Sequence, residues 1–314
     1  MIIFGPIPSR RLGESIGVNN IPPKTCPYSC VYCQLGRTDK MRIKRQPFYD
    51  PKEILKEAEI KVGQLKKQNK HADYFSFVPD GEPTLDINLG KEIGLLKRFG
   101  IKIAVISNAS LIWMDSVKND LLKADWVSLS IDAADEKTWH KVDRPHNFLS
   151  LDKIIGGIVD FTKEYNGTLV TETMLVKGIN DSEEQIKKLS AVISDISPKT
   201  AYLLTPTRPP AEKYAESIPD EKMKNCAALL HSISGVPVGC ITGSENSGGF
   251  FFSDNAVDDL LNIMAVHPVR ESVIYNMLQE RNLDNKIIDK LCGEKKILRF
   301  SFNGETFYRR NIQE

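Results

Sequence analysis

No apolar run in this chain approaches the ~20 residues that a membrane-spanning helix needs. The opening segment, MIIFGPIPSRR, has too short an apolar stretch for a signal-peptide core, and its arginines follow that stretch rather than precede it. Charge of one sign is also lacking. With 42 lysines and arginines against 41 aspartates and glutamates the net charge is +1, so no global field draws the chain to nucleic acid or an anionic membrane. No internal repeat or low-complexity segment interrupts it. These absences point to an ordinary globular protein of the cytoplasm, where thiols stay reduced. The six cysteines are then ligands, catalytic groups or small core residues, not a disulfide framework.

What is present is a regular alternation. Asp50 is placed to cap a helix, with Pro51 at its first position and Glu53 three residues after the cap. Ile54, Leu55, Ala58, Val62 and Leu65 then share one face at helical spacing. Strand-like runs follow at Asp73–Val78, Ile101–Ser107, Trp126–Ile131, Thr168–Val176 and Ala201–Thr205. Helical patterns lie between and after them, near Asn88–Phe99, Asp115–Lys123, Leu151–Tyr165, beyond Asp181, and near Asp220–Ser234. Repeated βα units predict an α/β fold, a parallel sheet with helices outside it, either doubly wound or a full or partial barrel. In a barrel the chemistry sits at the C-terminal ends of the strands. After Gly248 and Gly249 the character changes to three short helices, Val257–Val266, Glu271–Arg281 and Asn285–Cys292. A hairpin over Ile297–Phe302 and Thr306–Arg309 then turns at Asn303-Gly304. That order is the order of a winged helix, so two domains are expected, 1–252 and 253–314.

Three of the cysteines lie within eight residues, Cys26-Pro-Tyr-Ser-Cys30-Val-Tyr-Cys33, with the spacing C-x3-C-x2-C. Thiolates favour iron–sulfur clusters or zinc. Structural zinc normally closes with four ligands, and the nearest further candidates are the distant His71 and Cys226. Three ligands in one loop can hold three irons of a cubane and leave the fourth open to bind and activate a substrate. A zinc knuckle completed from far away, or a chance grouping, is the alternative.

C-x3-C-x-aromatic-C, with Tyr32 before the third cysteine, resembles the signature of the radical S-adenosylmethionine (SAM) superfamily. The resemblance implies a [4Fe-4S] cluster on Cys26, Cys30 and Cys33, with SAM chelating the open iron. It further implies a reducing partner such as ferredoxin or flavodoxin, and cleavage of SAM to a 5′-deoxyadenosyl radical that abstracts a substrate hydrogen. Asp80-Gly81-Glu82-Pro83 resembles the family's Gly-Gly-Glu-Pro, which binds the SAM amino group, with Asp80 departing from the first glycine. Asp-Gly and Glu-Pro also form plain turns. Ser107-Asn108-Ala109 resembles a Thr-Asn-Gly segment near SAM, and Ser128, Ser130 and Asp132 occupy the place of ribose contacts. Val176-Lys177-Gly178-Ile179-Asn180 resembles the adenine-side segment. The resemblance covers residues 1–240 and implies a partial (β/α)6 barrel. The pattern also resembles the branch with wyosine synthases and molybdenum-cofactor cyclases, without their further clusters.

Other features are less specific. Ser9-Arg10-Arg11 and Arg144-Pro145-His146 flank the motifs and suit either anion clamping or solvation. The basic run Arg37, Lys40, Arg42, Lys44 and Arg45 is a solvated flap or a footprint for RNA or a phosphorylated substrate. Tyr202, Thr205, Thr207 and Arg208 are placed to face substrate, on a loop stiffened by Pro206, Pro209 and Pro210. Cys226 and Cys292 read as core, and Cys226 with Cys240 lacks the third cysteine of a second cluster. From Lys286 to Arg310 seven basic residues face three acidic ones, a tilt towards nucleic acid, but the domain from Ser253 on is near neutral, and such a domain equally suits protein binding or covering the barrel. The expected function is hydrogen abstraction from a macromolecule, tRNA first and a peptide second. The alternatives are an activase or maturase of a partner protein, or an iron–sulfur DNA-binding regulator.

Overall fold

The computed structural model describes residues 2–9, 11–38, 41–242, 268–279, 282–302 and 304–311, with positions 257, 260, 261, 263 and 264 between them. The expected domain boundary at 252/253, Gly248, Gly249, Arg10, Lys40, Arg281, Asn303 and half of the expected helix Val257–Val266 lie outside the described residues.

An eight-stranded sheet runs in sequential order. Strands β1 (Ile3–Ser9) and β2 (Gly13–Val18) form an antiparallel hairpin. From β2 onward every pairing is parallel, through β3 (Tyr74–Phe77), β4 (Lys102–Ser107), β5 (Trp126–Ser130), β6 (Thr168–Met174), β7 (Thr200–Leu204) and β8 (Val238–Ile241). The helical crossovers are α1 (Pro51–Lys67), α2 (Leu89–Leu96), α3 (Asp115–Leu121), the pair α4 (Glu136–Val142) and α5 (Leu151–Glu164), α6 (Glu183–Ile196) and α7 (Asp220–Ser234). The expected partial barrel is therefore present, extended by the first hairpin strand, by β8, and by the short helix α4.

Local chemistry accounts for the elements. Asp50 Oδ1 accepts the Lys52 amide at 2.9 Å at the start of α1, and Ile54, Ala58, Val62 and Leu65 are buried against the sheet. The outward faces of the strands supply Phe75, Phe77, Ile103, Val105, Val127 and Leu129 to one continuous core, each fully buried. The opposite, even-numbered face points into the lumen, where Ser76, Ile106, Ser130, Glu172, Tyr202 and Cys240 line a cavity. Period-two alternation thus separates the apolar core from a polar chamber. A second small cluster, Leu12, Ala104, Trp126 and Val170, closes the lumen at the N-terminal ends of the strands.

The C-terminal residues form β9 (Val269–Arg270), α8 (Glu271–Gln279), α9 (Lys286–Gly293) and the hairpin β10 (Ile297–Phe302) with β11 (Glu305–Arg310). The small antiparallel sheet has the order β10-β11-β9, so β9 adds a strand that the sequence pattern did not disclose. A separate apolar core, including Val273, Ile274, Met277, Leu291 and Ile297, holds this unit, and Ile7 of β1 packs against it. No helix among the described residues is long and apolar enough to cross a membrane.

Candidate active site

The cysteine loop leaves β2 and crosses the C-terminal ends of the strands. Its backbone is laid beside the end of β3: Lys24 N–H donates to Asp80 O at 2.6 Å, Glu82 N–H donates to Thr25 O at 3.0 Å, and Thr25 bridges Gly81. A Cβ on Gly81 would lie 2.2 Å from Thr25 O, so glycine is required by the close approach of two backbones. Pro145 bridges Tyr28 from the other side, and His146 N–H donates to Pro27 O at 2.9 Å. Arg144 holds Ser29 O through Nε at 2.5 Å and pairs with Glu212, which also takes Arg37 at 2.6 Å. Arg144 and Arg37 are thus fixed as supports of the loop by Glu212. The hydrogen bonds from both arginines lower the Glu212 carboxyl to a pKa of about 2.

The three thiols are free and line one cavity of about 890 Å³ together with Tyr32, Ser107, Asn108, Ser130 and Asp132. Asn108 Nδ2 donates to Cys26 Sγ at 3.3 Å, and the Tyr28 amide reaches the same sulfur at 3.4 Å. Cys30 Sγ–H donates to Asp143 Oδ1 at 3.3 Å, and Tyr32 OH donates to Asp132 Oδ2. Burial raises all three thiol pKa values. Metal loading therefore has to release their protons. Among the described residues no three His, Cys, Asp or Glu side chains converge on a single ion. A cubane does not ask for that, since it takes one thiolate per iron. The donors to Cys26 suit a thiolate ligand.

The strand-end motifs come together, but in two different roles. Glu82 is fully buried and is not a lining residue; its Oε1 accepts from Thr84 N, Thr84 Oγ1 and Ser107 Oγ at 3.0, 2.6 and 2.8 Å, and its Oε2 accepts from Asn108 N at 2.7 Å. Four donors from within the protein thus serve its two oxygens, three of them on Oε1. Asp80, the residue that departs from the family's glycine, lines the chamber instead; it is 4% exposed, and burial raises its carboxyl to about 7. Pro83 is buried at the head of a short 3-10 turn, where its carbonyl accepts from Asn20 Nδ2 at 3.2 Å. Ala109 occupies the left-handed region at φ 60°, where the related segment has glycine. Val176 lies beneath the loop in a small apolar cluster with Val31 and Ala215, and its amide donates to Asn180 Oδ1 at 2.7 Å. Ser128 sits deeper, donating to Glu172 Oε1 at 2.5 Å.

The weaker sequence signals divide. Tyr202, Thr205, Thr207 and Arg208 do line the chamber, and Arg208 Nη1 donates to Gln34 Oε1 at 2.9 Å. Of the basic run, Arg45 is internal, bound to Thr84 O, Asp86 O and Asp120, while Arg42 and Lys44 are exposed. Cys226 is buried in the core and Cys292 is half-buried against the C-terminal core, whereas Cys240 faces the chamber. Sequence reading did not single out Asp143, Glu212 or Glu172, and it considered Arg11 only as part of an arginine pair.

A chamber at the C-terminal mouth of a partial barrel, with three loop thiols on one wall, defines a class of protein. Residues 20–189 match the family model described as the Radical SAM superfamily. The chain belongs to that superfamily and is an enzyme of its kind. Within it the chain groups with the UPF0026 proteins, being 45% identical over 312 residues to the UPF0026 protein MJ1312 of Methanocaldococcus jannaschii, across 99% of this chain and 97% of that one. The fold resembles that of TYW1 with a lysine-pyruvate adduct bound, at TM-score 0.55 and 18% identity over 70% of this chain and 74% of the other. It also resembles Streptococcus suis SuiB bound to precursor peptide SuiA, at TM-score 0.52 and 17% identity over 71% and 48%.

Proposed function

We propose that this protein reductively cleaves SAM at a [4Fe-4S] cluster ligated by Cys26, Cys30 and Cys33, and abstracts a hydrogen atom from a substrate held in the lumen. The observation that carries this reading is the single chamber that contains all three thiols and the strand-end residues Asn108, Ser130 and Asp132. When bound, the cluster and SAM supply one electron and a 5′-deoxyadenosyl radical. The chain's own residues bind and orient. Asp80 offers the SAM ammonium a carboxylate facing the chamber, while Glu82 ties the ends of β3 and β4 into one rigid wall. Ser130 and Asp132 are the polar groups on the ribose side. Asp132, through the Tyr32 hydroxyl, and Asp143, through Cys30, anchor the cysteine loop.

The substrate reading is a tRNA ahead of a peptide. It is supported by Arg42 and Lys44, which are exposed on the segment that follows the cysteine loop. Anaerobic reconstitution followed by dithionite and SAM tests the activity. The wild type is expected to form 5′-deoxyadenosine and Cys30→Ala none. Formation by the variant, or none by the wild type, refutes the reading, and the second result favours an iron–sulfur regulator. Crosslinking to bulk tRNA that weakens with rising salt tests the substrate. A stable complex with a partner protein instead favours an activase or maturase.

A further inference from the structure

We infer that Arg11 and Glu172, at the closed end of the lumen, are the dyad that recognises the substrate, and that they take a planar cis-amide edge, a carbonyl acceptor beside an N–H donor. This rests on the reading of the chamber as the place where a radical meets its substrate.

Barrel interiors are usually filled by branched apolar side chains in layers. Here that filling stops at the floor of Leu12, Ala104, Trp126 and Val170. Immediately above it, the turn between β1 and β2 sends Arg11 into the lumen, where its Nη1 lies 2.6 Å from Glu172 Oε2. Both side chains are largely withdrawn from solvent, at 17% and 12% exposure, and both line the same chamber as the three thiols. Glu172 is fixed by the Ser128 hydroxyl and by its place on β6 between Ser130 and Tyr202. Arg11 Nε is buried and has no hydrogen-bond partner among the described residues, and the Nη1 contact is an ion pair without hydrogen-bond geometry. A buried donor left unmet costs about 1–3 kcal/mol, which is a standing preference for a ligand that supplies an acceptor there. Each Glu172 oxygen already has one neighbour and retains capacity to accept another hydrogen bond.

Charge and geometry narrow the ligand. The pair is neutral as a unit, so a ligand group with net charge would leave an uncompensated ion at the closed end, at a cost of several kcal/mol. A neutral group avoids that. Because Arg11 and Glu172 are in direct contact, a group that meets both must present its acceptor and donor side by side. A trans peptide unit points its C=O and N–H in opposite directions and fails this test. A cyclic lactam or a primary carboxamide satisfies it.

Ligand-observed saturation-transfer NMR on the wild-type protein, with uracil as lactam probe and acetamide as carboxamide probe, tests the assignment. N-methylacetamide, acetate and methylammonium serve as trans-amide, anion and cation controls. At least one cis probe is expected to bind, and to weaken by about tenfold or more in Arg11→Met and in Glu172→Gln, the loss of roughly one charge-assisted hydrogen bond. Circular dichroism shows that each variant is folded, and Glu172→Gln keeps the side chain's shape if Arg11→Met does not fold. Preference for uracil over acetamide assigns a lactam, and the reverse a carboxamide. The inference is overturned if no cis probe binds, if a control binds as well as the cis probes, or if folded variants bind them as tightly as the wild type. Failure of the wild type to make 5′-deoxyadenosine refutes the radical reading and leaves these binding results standing on their own.

Discussion

The mouth of the barrel and the C-terminal unit are both rich in charged residues, yet the charges are used in opposite ways. At the mouth, Glu82, Asp132 and Asp143 are buried among hydrogen-bond donors or one another, and burial moves their pKa values upward. In the C-terminal unit the ion pairs sit in water: Lys286–Asp284, Lys290–Glu294 and Lys296–Glu294 have lysine side chains 86%, 76% and 56% exposed. Exposed pairs contribute about 0–1 kcal/mol, whereas a buried acceptor that serves several donors cannot be removed cheaply. The difference teaches that polar residues at the mouth specify geometry, and those of the C-terminal unit mainly solvate it. It also tempers the count of basic residues between Lys286 and Arg310, because Lys296 and Arg299 are partnered by Glu294 and Glu271.

The contrast breaks most visibly at Glu82. Glu82→Ala leaves Ser107 Oγ, Asn108 N and the Thr84 donors without their acceptor. A loss of at least about 3 kcal/mol is expected, since stranded buried donors cost roughly 1–3 kcal/mol each and share one network. Chemical denaturation of the variant against the wild type reads it directly. Asp80, in the same turn, faces the chamber instead. Asp80→Asn is expected to leave the fold intact and to weaken SAM binding by about tenfold, the value of one charge-assisted contact, as read by isothermal titration of the reconstituted protein.

Further from the thiols, Glu92 is fully buried on α2 beside Asp86, and desolvation together with the Asp86 charge raises it to about 9 from its ordinary 4.5. The folded protein therefore keeps a proton that the unfolded chain releases near pH 4.5. Its contribution is fully present below that pH and is lost as the pH climbs towards 9. Glu92→Gln keeps the shape and removes the titration. It is expected to flatten the slope of Tm against pH between 5 and 9, and to stabilise the protein at pH 8.5 by something on the order of 1 kcal/mol. A variant whose slope matches the wild type would show that Glu92 is not the group responsible.

Much of this architecture was legible from the chain alone, for reasons tied to particular residues. The Cys26–Cys33 spacing is local and chemically selective, and the even/odd alternation of β3 to β7 separates core from lumen over four residues or more. The hairpin strand β1 was hidden because Pro6, Pro8 and Gly5 are poor strand signals, and β8 because it is four residues long and contains Gly239. The supports of the site were hidden by distance. Asp143 meets Cys30 across 113 positions and Glu212 meets Arg37 across 175. An isolated acid reads as solvated surface until topology brings its partner. Glu82 was read as a contact to the SAM amino group, and its surroundings were not visible: nothing in Asp-Gly-Glu-Pro tells which carboxylate turns inward and which faces the chamber.

The C-terminal side of the comparison yields the smallest expected effect. Lys296 pairs with Glu294 at 2.8 Å, with side chains 56% and 37% exposed, just before β10. Both groups keep most of their hydration when the pair is broken, so the Coulombic gain nearly cancels against water and the entropy of two long side chains. Lys296→Ala is expected to change stability by less than about 0.5 kcal/mol, with a difference that shrinks further in 1 M salt because screening there acts within roughly 3 Å. If instead this variant weakens tRNA crosslinking while Tm stays unchanged, the charge is there for a partner and not for the fold. The same substitution thus separates a surface that merely solvates from one that binds, a distinction that Glu82 does not permit because its removal also moves stability.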